Sequence, residues 1–311
     1  MDPAGKLPKL MFRPTLLADG VTDGDIRSMR RTGAVRRLRP GVSVNAEAWN
    51  ALTHDDERRA LIKGTVPYLT DGAVVSHTSA ALMHGLPVID GESEAVHVTR
   101  AQTAGGFRRG HLHTHSGRLD GSAITVVDGM HITSAARTVV DCACTMSLEA
   151  SVTLADNALY RGLTSTGELE ATLASVGRRR GNARAAMVVE LADPGGQSVG
   201  ESLSRMLFLR MGLPTPSLQL KVYDGRYCVG QSDFAWPEFR TLGEFDGKIK
   251  YCEFLKPGER PGDAVWREKK REDALRRLGW EVVRWTWAEL MNPALLDRRI
   301  RAAFELGLRF V

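Results

Sequence analysis

Hydrophobic and polar positions alternate in two consecutive stretches of the C-terminal third, and this alternation predicts a β-hairpin. A short polar turn at residues 237–240 separates the two stretches. In the second stretch Glu244, Asp246 and Lys248 alternate with apolar or small residues. The side chains of a strand point to the two faces of its sheet in turn, so these three polar side chains are expected to share one face.

The pattern along the whole chain predicts a multidomain protein of the α+β or α/β class. Amphipathic stretches that begin at capping residues predict helices, and short apolar runs between turn residues predict strands. The predicted helices cover residues 12–20, 22–33, 46–69, 76–85, 134–142, 148–191 (two or three helices), 198–212, 266–278 and 293–308. The predicted strands cover residues 34–44 (two strands), 74–75, 94–100, 111–115, 123–127, 130–133, 218–223, 226–234, 241–251 and 280–287.

Three domains are expected, at residues 1–48, 49–192 and 197–311. The clearest linker is the sequence Asp-Pro-Gly-Gly at residues 193–196, because proline and glycine together interrupt both helices and strands. Residues 1 to about 10 are expected to form a disordered lead-in to the first domain.

The first predicted domain places arginines on a helix and on the hairpin that follows it. Thr22 is positioned to cap the helix, and Asp25 lies in its first turn, where a carboxylate is favourable. A helix, a turn, a basic helix and a basic hairpin follow one another in winged helix-turn-helix domains, whose arginines contact DNA phosphates and grooves. A solvated basic surface is the simpler alternative. The candidate DNA-binding residues are Arg27, Arg30, Arg31, Arg36, Arg37 and Arg39.

Composition is ordinary for a globular protein, and it favours an anionic partner only weakly. The 311 residues carry a net charge of +5 and a pI near 9.1. A second basic stretch, residues 267–271, includes Lys269 and Lys270 as further candidate DNA contacts. Four cysteines without a C-x-x-C pair, no apolar leader and no long apolar run predict a cytoplasmic protein with no membrane contact.

The histidines form two groups whose roles the sequence leaves open. His77 and His84 lie seven residues apart on one predicted helix face, where hydrogen bonding to the core is the commoner role. His111, His113 and His115 alternate along a predicted strand. Neighbouring side chains of one strand rarely all reach one tetrahedral ion, so we expect a polar face that contacts phosphate or a partner protein.

Carboxylates are expected to converge at the predicted hairpin of the third domain. Asp233 lies near the end of the first strand, so pairing of the strands brings it close to Glu244 and Asp246. Three carboxylates in one place repel one another unless a divalent cation neutralises them. The pattern therefore favours a Mg²⁺ (or Mn²⁺) site held by these acids.

These residues resemble the motif of the PD-(D/E)xK nuclease superfamily, with Asp233 on one strand and Asp246-Gly247-Lys248 on the next. The run Glu244-Phe245-Asp246-Gly247 is similar to the very-short-patch-repair endonuclease-like branch. The resemblance implies a restriction-endonuclease-like αβββαβ core that binds DNA and hydrolyses a phosphodiester. It implies metal binding by the acids, an orienting or charge-stabilising role for Lys248 and an additional acid, Glu201, from the preceding helix.

Two alternatives to this site remain open. Asp246-Gly247 is a strong signal for a two-residue turn, which would put Glu244 and Lys248 on different strands. Ser198 and Glu201 have the spacing of a capping box, in which the carboxylate serves the helix start instead of a metal.

The N-terminal part resembles the AbiEi family of type IV antitoxins. The resemblance rests on the basic hairpin from Arg36 to Val44, on the string S-H-T-S-A-A-L-M-H-G-L that begins at Ser76, and on R-T-V-V-D from Arg137 to Asp141. It implies a winged-helix domain, a middle mixed α/β domain and a nucleotidyltransferase-like toxin as a partner. Two functions follow: a DNA-binding nuclease, or an antitoxin-like transcriptional regulator whose nuclease fold does not cut.

Overall fold

The structure is a computed structural model that describes residues 7–89, 95–101, 105–247 and 261–310. The chain divides into two compact units, Met1–Ala192 and Asp193–Val311. Both units combine helices with a mixed or antiparallel sheet, which confirms the prediction of a multidomain protein with helices and several sheets. In the described residues no helix is both long and apolar enough to cross a membrane.

The first unit begins with a small antiparallel sheet whose strand order is β1-β3-β2. Thr22 forms the predicted capping box with Asp25 at the start of the second helix. The first strand starts at Leu10, which pairs with Val44, so ordered structure includes the end of the predicted lead-in. The elements are β1 (Leu10–Phe12), α1 (Arg13–Ala18), α2 (Asp23–Arg31), β2 (Val35–Arg39) and β3 (Val42–Asn45).

Two helices, α3 (Ala46–Asn50) and α4 (His54–Thr65), connect this sheet to the rest of the unit. At Gly64 in α4, an added Cβ would lie 3.2 Å from Leu38 and 3.4 Å from Val42, so the helix packs tightly on the hairpin. The predicted first and second domains thus lie within the same compact unit.

A six-stranded mixed sheet follows, with the order β6-β7-β5-β4-β9-β8. Strand β5 runs parallel to β7, and β4 runs parallel to β9. Its core contains Ile62, Val75, Leu82, Val98 and Ile132. The elements are β4 (Val74–Val75), α5 (His77–Met83), β5 (Val96–Arg100), β6 (Phe107–Arg109), β7 (Leu112–Ser116), β8 (Ile124–Val127) and β9 (Met130–Thr133).

Four helices complete the first unit: α6 (Ala135–Ala143), α7 (Leu148–Tyr160), α8 (Thr166–Ser175) and α9 (Asn182–Leu191). Arg137 and Asp141 form an ion pair on α6 at i, i+4 spacing, and both are buried. Arg179 also binds Asp141, at 2.6 Å. A buried carboxylate needs compensating charge, and these two guanidinium groups supply it.

The second unit is a four-stranded sheet with the order β10-β11-β12-β13 and helices before, between and after the strands. Its first three strands are antiparallel neighbours, and β12 and β13 are parallel. The 3₁₀ turn Pro237–Phe239 is the predicted polar turn between β11 and β12. The elements are α10 (Val199–Arg210), β10 (Ser217–Asp224), β11 (Tyr227–Trp236), β12 (Thr241–Asp246), α11 (Pro261–Arg277), β13 (Glu281–Thr286), α12 (Trp287–Leu290) and α13 (Pro293–Gly307).

The two faces of this sheet bury different side chains. On one face an aromatic core that includes Phe208, Phe234 and Trp285 packs against α10 and α13. On the other face Leu275 of α11 packs against a smaller aliphatic cluster that contains Ala235. The polar side chains of the predicted site lie on the α11 face, beyond this aliphatic cluster.

Candidate functional site

The three predicted acids of the second unit lie on one face of two neighbouring strands. Ala235 of β11 pairs with Leu242 of β12, and both side chains belong to the cluster under α11. Because side chains alternate along each strand, Asp233, Glu244 and Asp246 lie on that same face. Continuing the antiparallel register sets Asp233 opposite Glu244. Strand β12 extends through Asp246, which keeps both of its acids on one strand.

Asp233 is held in place by the backbone of the neighbouring strand. Its Oδ2 accepts a hydrogen bond from the Phe245 N–H at 2.9 Å, and the side chain is partly buried. Phe234 and Gly243 are the last paired residues on this side of the β11–β12 ladder. The carboxylate therefore takes a backbone donor just beyond the ladder, which fixes the side chain against β12.

Glu244 makes ion pairs with two arginines. Its Oε1 lies 2.6 Å from Arg271 Nη2 on α11, and its Oε2 lies 2.9 Å from Arg284 Nε on β13. Arg284 is the direct neighbour of Glu244 in the parallel register. Arg271, which the sequence placed on the DNA side of its helix, instead turns toward the sheet. Both arginines also bind Glu268 of α11.

This network keeps its groups charged in spite of burial. Burial alone would raise the pKa of Glu268, but its hydrogen bond from Arg271 and the charges of Arg271 and Arg284 outweigh burial and lower that pKa. Burial would lower the pKa of Arg271, yet Glu268 and Glu244 raise it. The face therefore holds alternating fixed charges, and Glu244 is compensated without a metal ion.

The acids on this face offer the hard oxygen ligands that Mg²⁺ prefers, but their oxygen atoms do not form a tight cluster. In the described part of the chain, one set of three candidate ligand side chains has its ligand atoms within 4.8 Å of one another, and it contains none of these acids. Asp233 and Asp246 are candidates for a cation because both lie on this face, on adjacent strands. Lys248 lies outside the described residues.

Glu201 is buried at the start of α10 and serves the helix terminus. Ser198 Oγ donates to its Oε1 at 2.7 Å, and the Gln197 N–H and Gln219 Nε2 donate to its Oε2 at 3.1 and 3.0 Å. Gln231 Nε2 donates in turn to Gln219 Oε1 at 2.7 Å. Of the two predicted roles, these contacts match the structural one, with both carboxylate oxygens used at the cap.

The predicted DNA-binding arginines of the first unit separate into two groups. Arg30 donates to Ser43, and Arg39 donates to the Thr65 carbonyl while stacking over the Tyr68 ring. These two guanidinium groups are partly buried. The exposed members are Arg27, Arg31, Arg36 and Arg37, and in the second unit Lys269 and Lys270 are exposed as well.

The histidines occupy different positions from those expected. His113 and His115 on β7 face His97 on β5 and His77 at the start of α5, whereas His111 precedes the strand and is exposed. The predicted outward polar face is thus an inward cluster. His84 behaves as expected, with Nε2 2.8 Å from the Thr133 carbonyl oxygen.

Burial keeps the clustered imidazoles neutral. Burial lowers the pKa of His97 to about 2 and that of His115 to about 4, and neighbouring histidines add to both effects. Burial also lowers the pKa of His77 well below its ordinary value. Neutral imidazole is the form that binds metal ions.

Sequence reasoning missed Glu268, Arg284 and His97. Arg284 lies two residues beyond the core residue Val282, so alternation alone places it on the acid-bearing face. Glu268 and Arg271 have helical i, i+3 spacing, which signals a pair but not its position over Glu244. Nothing local indicates that the strand containing His97 is parallel to the one containing His113.

Comparison with known proteins gives little functional information. No family model matches the chain. Two proteins of Mycobacterium tuberculosis, the uncharacterized proteins MT2308 and Rv2248 from two strains, are each 29% identical to it over 163 residues, which are 52% of this chain. The chain matches 57% of the length of each, little more than half.

A solved structure, that of the RV2827C protein from Mycobacterium tuberculosis, aligns with a TM-score of 0.41 and 14% identity. The alignment covers 71% of this chain and 85% of the other. The identity and the score are too low for this likeness to carry an argument about fold or function.

Proposed function

We propose that the protein binds DNA and that its second unit is a nuclease-type domain of the PD-(D/E)xK class that acts on phosphodiesters. The observation that carries this proposal is the placement of Asp233 and Asp246 on one face of adjacent central strands, with Glu244 between them. The order of helices and strands in the second unit, α10, β10, β11, β12, α11, β13, supports the αβββαβ core expected from the motif.

The acids on this face fit a hard divalent cation. Asp233 and Asp246 would hold Mg²⁺ or Mn²⁺, because carboxylate oxygens are the preferred ligands of these ions. When bound, such an ion polarises the phosphate and lowers the pKa of an attacking water molecule. The Phe245 N–H orients the Asp233 carboxylate, so this ligand is positioned before any ion arrives.

The exposed arginines support DNA binding by the first unit. Arg27 and Arg31 on α2, together with Arg37 on β2, present guanidinium groups to solvent on a helix and a hairpin. Phosphate contacts of this type supply most of the affinity for DNA regardless of sequence. A winged-helix domain at residues 1–48 and a cytoplasmic location are parts of the same proposal.

A second function is a regulator that binds DNA without cutting it. The specific observation in its favour is that Arg271 and Arg284 already compensate Glu244. A face that is balanced by its own arginines is stable without a cation, and it can serve as a DNA clamp or a docking surface. In that case the antitoxin-like part would bind a promoter, and a nucleotidyltransferase-like toxin would be the partner.

A cleavage assay separates the two functions. Supercoiled plasmid is incubated with the protein and Mg²⁺ or Mn²⁺, and wild type is compared with Asp233→Ala and Asp246→Ala. The nuclease predicts metal-dependent nicking that both substitutions abolish while plasmid binding is retained. No nicking by the wild type, with DNA binding intact, would contradict the nuclease and support the regulator.

A further inference from the structure

Three histidines of the first unit converge from separate elements: His77 begins α5, His97 lies on β5 and His115 lies on β7. Their ligand atoms lie within 4.8 Å of one another, and His97 Nδ1 is 2.9 Å from His115 Nε2. The rings of His77 and His115 are stacked with centroids 3.7 Å apart. Three imidazoles are a donor set that zinc-class ions use where a fourth, exchangeable ligand completes the site.

Hydrogen bonding within the cluster does not use all of its nitrogen atoms. Among the residues that the structure describes, His97 Nε2 and His113 Nδ1 are buried without a hydrogen-bond partner. A neutral imidazole carries one N–H and one lone pair, so each ring needs both an acceptor and a donor. An unpaired buried polar atom destabilises the folded state, and gathering several of them is unfavourable without a ligand.

Ser76 supplies the outer contact that a metal-bound histidine requires. It is the N-cap residue of α5, yet its hydroxyl makes no cap hydrogen bond. Instead Ser76 Oγ lies 2.9 Å from His77 Nδ1 and accepts from Thr99 Oγ1 at 2.8 Å. When the His77 Nδ1–H donates to this oxygen, the Nε2 lone pair is left for a cation, as in known metal sites.

His77 also holds a strained backbone conformation. Its φ of 51° lies in the left-handed region, which is uncommon for residues other than glycine, although asparagine, aspartate and histidine adopt it more often than the rest. Backbone conformations of this kind cluster at functional sites. Here this conformation accompanies the placement of the imidazole against His115.

The surrounding charges indicate what completes the site. Arg137 and Arg179 lie near the cluster, and Asp141 binds both. In the described residues Arg179 Nε and Nη2 are buried without a hydrogen-bond partner. A dication bound by neutral imidazoles beside this arginine pair favours an anionic fourth ligand, which the unused N–H groups of Arg179 can contact.

We propose that His77, His97 and His115 bind one transition-metal ion of the zinc class, with an exchangeable anionic fourth ligand. This site is distinct from the carboxylate face of the second unit in ligand type and in the class of ion. Nitrogen ligands select Zn²⁺ or Co²⁺ over Mg²⁺, whereas carboxylates favour Mg²⁺. The proposal does not depend on whether the protein cuts DNA.

The test is a titration of the full-length, tag-free protein with Co²⁺ after removal of metal by a chelator. We expect one ion per chain, with the visible absorption of tetrahedral Co²⁺ and displacement by Zn²⁺ but not by Mg²⁺. His115→Ala should weaken binding by more than about 100-fold, and Ser76→Ala should weaken it by about 10–100-fold. His131→Ala, which removes an exposed histidine of the same unit, should bind as the wild type does.

Histidine nitrogen NMR of the wild type provides a second measurement that requires no variant. On addition of Zn²⁺, the imidazole signals of three of the eight histidines should shift to the metal-bound range. The proposal is overturned if the wild type takes up no stoichiometric Co²⁺ or Zn²⁺, or if folded His115→Ala retains the ion with wild-type affinity. Shifts confined to exposed histidines would also overturn it.

Discussion

Each unit brings titratable side chains of one kind together on a sheet: histidines in the first unit and carboxylates in the second. The repulsion between like charges is avoided in a different way in each unit. The first unit buries its histidines so that they stay neutral, which lowers the pKa of His97 to about 2. The second unit instead surrounds Glu244 with Arg271 and Arg284. Neutral imidazoles suit a cation of the zinc class, whereas carboxylate oxygens suit a hard cation such as Mg²⁺.

The largest expected effect is the dependence of the free energy of unfolding on pH, because the first unit holds His97 neutral. His97 is neutral in the folded protein down to about pH 2, whereas an unfolded histidine takes up a proton below about pH 6.5. The unfolded state therefore binds more protons as pH falls through this window, and the folded state loses stability. Between about pH 6.5 and about pH 4.5 the loss from His97 alone is about 2 kcal/mol.

Urea unfolding at several pH values, with a chelator present, measures this loss. His97→Asn should flatten the pH dependence of the free energy of unfolding, while His131→Asn should leave it as steep as in the wild type. An unchanged slope in His97→Asn would show that His97 is not held neutral by the fold.

Breaking the charge compensation of the second unit is expected to have the next largest effect. Arg271→Met leaves Glu244 with one arginine in a site where the Glu244 side chain is only 14% exposed. We expect a loss of about 2 kcal/mol in the free energy of unfolding, between the values for exposed and buried pairs. Adding Glu244→Gln should recover part of it.

The control for this change is Arg276→Met, which breaks longer ion pairs with Glu272 and Glu281 at a more exposed arginine. Its expected cost is below about 1 kcal/mol. Denaturant unfolding measures both variants. If they lose the same free energy of unfolding, the pair between Arg271 and Glu244 stabilises the fold no more than an exposed pair does.

Substitutions at the start of α10 test whether Glu201 serves the helix cap or binds a metal ion. The expected loss of stability is smaller than in the preceding predictions. Ser198→Ala removes the hydroxyl that donates to Glu201 Oε1, so we expect a loss of about 1 kcal/mol in thermal or urea unfolding. Ser165→Ala, at the capping box of α8 in the first unit, is the matched control. If Glu201→Gln lowers metal affinity more than it lowers stability, Glu201 is a ligand after all.

Substitutions of single exposed arginines are expected to give the smallest effects, which are measured as changes in affinity for DNA. Arg31→Ala and Arg37→Ala should each weaken DNA binding to a similar degree for all sequences, and each should reduce the slope of log K against log salt by about 1. Arg309→Ala, an exposed arginine of the second unit, should not change the slope. Fluorescence anisotropy over a range of salt concentrations measures this, and unchanged slopes would remove the first unit from the DNA interface.

The sequence predicted local features, such as helix caps and turns, better than it predicted which distant residues come into contact. The capping box at Thr22, the Arg137–Asp141 pair and the polar turn before β12 depend on residues close in sequence, and all are present.

Long-range pairing explains what the sequence did not reveal. The parallel register that sets His97 beside His113 joins strands with another strand, β6, between them in the chain, so no turn signal marks it. The position of Arg271 depends on how α11 rotates over the sheet, and helical periodicity left its basic face assigned to solvent or DNA. The roles of Asp233 and Asp246 remain predictions, because their placement on one face does not by itself establish metal binding.

The most direct test of the central claim is binding of Mn²⁺ to the carboxylate face, measured by the loss of the free-ion EPR signal in a titration of the full-length protein. The account predicts Mn²⁺ binding in the wild type and in His115→Ala, with loss of this binding in Asp233→Asn and Asp246→Asn. Circular dichroism verifies that the variants are folded. Mn²⁺ binding that persists unchanged in both aspartate variants, or that is absent from the wild type, would contradict it.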